Sequence, residues 1–155
     1  VKIELARPIV YTGTVPQLLL ILDNVAAVMN RNGAPVPVIT SGNDRKHSAR
    51  TPGALCGKLN TDDECRATSN SKHYTNEALD FRGKPSWLAG VDPDLITADL
   101  QNRTIGFDPN GQRILMKAVF DIEYEKVLDN PLTPENETEN SHFHIEYDPD
   151  GDPNL

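Results

Sequence analysis

One stretch dictates where the core of this chain must form. Leu18, Ile21, Leu22, Val25, Val28 and Met29 recur at helical spacing, and Leu19 and Leu20 thicken the apolar face. Thr12 or Thr14 can cap the start, Pro16 suits a first turn, and Gly33 supplies a stop. The pattern predicts a core helix of about 16 residues whose leucines and methionine serve packing.

The other periodic segments suit a sheet for that helix to cover. Pro35–Thr40 (PVPVIT) reads as a strand running into Ser41-Gly42, and Ala78–Phe81 as a second. Asp92–Gln101 reads as a helix with Asp92 as cap and Pro93 in its first turn. Residues 113–128 are rich in β-formers, with Phe120, Ile122 and Tyr124 alternating against Asp121, Glu123 and Glu125. Ser141–Tyr147 (SHFHIEY) is a strand by alternation. Helix and strand mix without a βαβ rhythm. The expected fold is therefore α+β, one domain over 1–155, with a largely antiparallel central sheet and one long N-terminal core helix. Residues 43–72 are almost wholly polar and form a long inserted loop, 129–140 an acidic loop, and 148–155 a turn-like tail. Trp87 reads as a packing anchor.

Charge narrows the function classes. Fifteen basic against 23 acidic side chains give a net charge of −8. That argues against nucleic acid as partner, because phosphate binding needs clustered Lys and Arg. No apolar run approaches the roughly 20 residues of a membrane helix. No membrane association is expected, and the expected state is a monomer. Two Asn-x-Thr triplets and the acidic tail DPDGDPN carry no assignment, since the tail lacks a full calcium loop. The chain begins at Val1, as a processed or excised sequence would. Cys56 and Cys65, nine positions apart, suit either a small disulfide loop or two free thiols.

Of the four histidines, His142 and His144 stand two apart on a predicted strand and so project from one face, while Phe143 and Ile145 point to the core. His73 and Asp80 lie seven apart where a loop runs into a strand, and Asp80 sits among Ala78, Leu79 and Phe81. A carboxylate buried there without a partner costs several kcal/mol, a cost a cation beside it removes. Two imidazoles and one carboxylate with an open fourth position make the usual catalytic zinc set, and His73, Asp80 and one histidine of the pair supply it.

These residues carry a resemblance. The segment SKHYTNEALDF (71–81) is similar to the SxHxxGxAxD signature of zinc peptidases that include D-Ala-D-Ala carboxypeptidases and phage L-alanyl-D-glutamate endopeptidases, with the Hedgehog signalling domain a distant relative. ENSHFHIEYD (139–148) looks like that family's closing HxH strand, and VITSGNDRKHS (38–48) resembles the stretch before its first motif. The resemblance implies Zn2+ held by His73, Asp80 and His144. It makes His142 an imidazole facing the reacting carbonyl, and Arg45 a substrate-anchoring or oxyanion-stabilising group. His47, Ser71 and Tyr74 become pocket residues. It further implies hydrolysis of amide bonds in peptidoglycan stem peptides, in a bacterial cell envelope or a phage lysin or virion protein.

The chain departs from that pattern at three places. Asn76 stands where the family has Gly; Asn is the non-Gly residue most tolerant of positive φ. An insertion of residues 49–70 holds both cysteines. Ser141 stands where several relatives carry an acid, so the catalytic base is expected at Glu139, with Glu137 and Glu135 as alternatives. Same-face geometry leaves a second register open, in which His142 is the ligand of a Glu139-x-x-His142 arrangement. A non-catalytic zinc-stabilised domain that binds another protein is the competing function.

Overall fold

In a computed structural model of the chain, which describes residues 3–5, 16–42, 59–61, 63–65, 71–75, 77–126 and 141–149, the core helix forms over Pro16–Arg31 (α1). Leu18, Ile21, Val25, Val28 and Met29 are buried, as their spacing requires. Leu19 and Leu20 are exposed, so the apolar face is narrower than predicted. The helix stops at Gly33 (φ +70°), whose N–H donates to the Asn30 carbonyl at 3.2 Å while Ala34 N–H donates to Met29 at 2.9 Å. This paired closure needs a residue at ease in the left-handed region. The predicted caps Thr12 and Thr14 lie outside the described residues.

Strands β1 (Glu4–Leu5), β2 (Val38–Ser41), β3 (Ala78–Arg82), β6 (Phe120–Glu125) and β7 (His142–Tyr147) form one sheet in the order β1-β2-β3-β7-β6. Only β1 and β2 pair in parallel; the other three pairings are antiparallel. Strand β2 begins later than the expected Pro35, because Pro35 and Pro37 have no N–H to give a ladder. Between β3 and β6 lie two helices, α2 (Pro85–Leu88) and α3 (Pro93–Gln101), then a separate hairpin of β4 (Thr104–Phe107) and β5 (Arg113–Leu115). Asp92 caps α3 as predicted, its Oδ1 accepting from Asp94 N–H at 2.9 Å. The β-rich segment 113–128 does not run straight. It breaks at a 3₁₀ turn (Met116–Ala118) that buries Met116.

The architecture is α+β with a mostly antiparallel mixed sheet. Helices α1 and α3 cover one sheet face, joining Leu79, Phe81, Phe143, Ile145, Phe120 and Ile122 in a single core. Each of these side chains contributes roughly 1.5–3 kcal/mol by leaving water. Trp87 packs against this core, partly buried. No helix among the described residues is long and apolar enough to cross a membrane.

Candidate metal centre

Strand parity puts the chemistry on the face opposite the core. Leu79 and Phe81, Phe143 and Ile145, and Phe120 and Ile122 face the helices. Their alternating neighbours on β3, β7 and β6 therefore share the other face. Register sets them in three cross-strand rows: Asp80–His144–Glu123, Arg82–His142–Glu125 and Ala78–Glu146–Asp121.

His73 reaches this face from a 3₁₀ turn over Lys72–Thr75. Ser71 builds the turn: its Oγ accepts from His73 N–H at 3.4 Å and its carbonyl from Tyr74 N–H at 3.1 Å. Thr75 Oγ1 donates to the Lys72 carbonyl, and Glu77 ties the segment to β7 by accepting from Tyr147 N–H at 2.8 Å. His73 Nε2 then lies 3.4 Å from Asp80 Oδ1 and 3.3 Å from His144 Nδ1, and the last two atoms are 2.8 Å apart. All three residues are nearly out of solvent, at 3%, 9% and 6% exposure for His73, Asp80 and His144. A tetrahedral ion with bonds of about 2.0–2.1 Å needs donors about 3.3–3.4 Å apart. Two edges of the triangle match that spacing and the third is shorter, so these three residues can hold a metal ion.

The same short edge explains the electrostatics. His144 donates from Nδ1 to Asp80 and from Nε2 to Glu146 Oε1 at 2.9 Å. Burial alone would lower its pKa, but the two carboxylates outweigh burial and push it up to about 10. Burial likewise opposes ionisation of Asp80, yet hydrogen bonds from His144 and His73 hold it well below the usual carboxylate range. A metal ion on Nδ1 would take the place of that proton and leave Nε2–H on Glu146, an arrangement that orients a ligating imidazole. Glu146 is fully buried, and its Oε2 has no hydrogen-bond partner; neither has Oδ2 of Asp121, its cross-strand neighbour. Burial raises the pKa of Asp121, and the nearby Glu146 adds to the rise; burial and Asp121 do the same to Glu123.

His142 stands outside the triangle. Its Nε2 donates to Glu125 Oε2 at 3.0 Å and lies 3.8 Å from Asp80 Oδ2. The hydrogen bond to His142 lowers the Glu125 pKa, with burial opposing it. Of the two histidines of the pair, His144 belongs to the group that could hold a metal ion and His142 does not. Ser71 is buried beneath the turn, and Tyr74 follows His73 in it, partly buried. Arg45, His47, Asn76, Glu135, Glu137, Glu139 and Cys56 lie outside the described residues. Cys65 is buried and disulfide-bonded. Sequence reasoning did not single out Glu125, Glu146 or Arg82. The signal was present as parity, since each continues the alternation of a predicted strand by two residues. No family model matches the chain, and neither a curated protein nor a solved structure matches it.

Proposed function

We propose that this chain is a zinc-dependent peptidase acting on amide bonds of peptidoglycan stem peptides, of the D-Ala-D-Ala carboxypeptidase or L-alanyl-D-glutamate endopeptidase type. The observation that carries the reading is the triangle of His73, Asp80 and His144, three donors drawn from separate segments to metal-ligand spacing. Two imidazoles and one carboxylate suit zinc and leave a coordination position for solvent or substrate. The motif resemblance supplies the substrate class. Bound zinc would act as a Lewis acid and acidify a bound water.

The remaining tasks fall to the chain's own side chains. Glu125 fixes the tautomer of His142 by accepting its Nε2–H at the rim of the triangle, and a substrate carbonyl oxygen bound there would take that N–H over from Glu125. Glu139 is the assigned proton acceptor, from the acidic segment before β7. Against burial, hydrogen bonds from His144 and His73 hold the Asp80 pKa well below the usual carboxylate range, which favours an anionic donor in the triangle.

A second reading is a zinc-stabilised domain that binds another protein. It is favoured by Ser141, which is fully buried where several members of the resembled family carry an acid. Zinc content by mass spectrometry, together with chromatography of purified muropeptides after incubation, separates the two. The peptidase reading expects one zinc per chain and peptide cleavage that Glu139→Gln abolishes with zinc retained. Zinc without cleavage would favour the binding domain, and a chain that takes up no metal would end both.

A further inference from the structure

The site face is strongly anionic. Of the nine positions in its three rows, five are carboxylates: Asp80, Asp121, Glu123, Glu125 and Glu146. Arg82 is the single Lys or Arg among them. It lies two positions from Asp80 on the same strand face, directly across the ladder from His142. Among the described residues Arg82 pairs with no carboxylate. Asp80 is taken by the two histidines and Glu125 by His142, while the Arg82 guanidinium lies over the Trp87 ring, 6.0 Å from its centre. A guanidinium set over an aromatic ring, with no carboxylate paired to it, keeps N–H donors available in a fork that fits a carboxylate.

We propose that Arg82 is the specificity-determining anchor for a free carboxylate on the substrate, one residue beyond the bond presented to the metal. The inference rests on the peptidase reading and assigns it a mode, removal of a C-terminal residue. Spacing supports the assignment. Arg82 is about 7 Å along β3 from Asp80, two strand residues of about 3.3–3.4 Å each. One peptide residue spans at most about 3.6 Å, and the arginine stem covers the remainder. The opposite end of the same row is Glu125, which repels a carboxylate. A bound peptide therefore runs from the Asp80–His144 row toward the Arg82 end of the next row, with its C-terminus away from Glu125.

The test compares N-acetyl-D-Ala-D-Ala as free acid with its C-terminal amide. Binding to the full chain, zinc-loaded and metal-free, is read by NMR at the Arg82 Nε–H and the Trp87 indole N–H. The wild type should prefer the acid by about tenfold or more, the range expected of one charge-assisted pair. Arg82→Gln should lose that preference with amide binding and zinc content unchanged, and Arg82→Lys should restore part of it. Equal binding of acid and amide by the wild type, which needs no variant, overturns the proposal. Binding of neither probe, or a preserved acid preference in Arg82→Gln, also overturns it. Acid preference without hydrolysis upholds the anchor and counts against the peptidase reading, so the two failures are distinguishable.

Discussion

His144 engages two carboxylates at once, and its chemistry follows from that. With its pKa pushed up from 6.5 to about 10, the imidazolium contributes stability to the metal-free chain that is complete below about pH 6.5 and is lost as pH climbs through 10. Asp80 is shifted the other way; its contribution is present above its ordinary value of 3.8 and falls away as pH drops below it. Zinc needs Nδ1 without its proton, so zinc affinity should rise with pH across the window where the metal-free fold weakens. Melting curves of chelated and zinc-loaded protein between about pH 7 and pH 10 should therefore diverge, with the chelated melting temperature falling and the zinc increment growing. Parallel curves would show that His144 is not held as a doubly bonded cation. Glu146 would act on a bound metal through His144. Glu146→Gln keeps an acceptor for Nε2–H but removes the charge, and should weaken zinc binding about 10- to 100-fold in a chelator competition while the fold stays intact.

At the level of elements, the site depends on how closely β7 can approach the end of β3. Gly83 makes that approach possible. A Cβ there would meet Tyr124 Cε1 at 2.9 Å, the His142 Cα at 3.1 Å and Phe143 Cδ2 at 3.2 Å, and Tyr124 also donates to the Gly83 carbonyl at 2.7 Å. Gly83→Ala should destabilise the fold by about 1–3 kcal/mol, the usual range for forced overpacking. It should also loosen the row of Arg82, His142 and Glu125, and urea denaturation with a zinc titration would register both effects. An unchanged midpoint would mean the strands part without cost. These elements also show what the amino-acid order makes legible. Helix α1, helix α3 with its Asp92 cap, and strands β3 and β7 all announce themselves by clean apolar period. The hairpin of β4 and β5 does not, because Thr104–Phe107 is at best half-buried, carries Gly106, and leaves Phe107 in solvent. The triangle itself could be read because His73, Asp80 and the HxH pair are rare residue types at telling offsets. Glu125, by contrast, reads as one more surface acid until register sets it beside His142.

Across the whole molecule, the triangle ties together parts of the chain that are distant in sequence: Asp80 and His144 are 64 residues apart, and His73 and His144 are 71. Holding three such segments together costs chain entropy, and the carboxylates on the face repel one another, within a chain whose net charge is −8. A divalent ion held by the triangle would offset the repulsion and would bind only the assembled site. It should therefore stabilise the native state by mass action, by about 2.7 kcal/mol when free zinc is 100 times its dissociation constant. The gain should concentrate where the ligands sit. Hydrogen exchange should slow on adding zinc at the amides of the 72–75 turn, of β3 and of β7, and α1, packed on the far side of the sheet, should change least below the global limit. A chelator should reverse the pattern. Uniform protection of α1 and β7 alike would indicate that the metal acts on global unfolding alone. No change anywhere would show that the triangle closes on a proton and holds no metal.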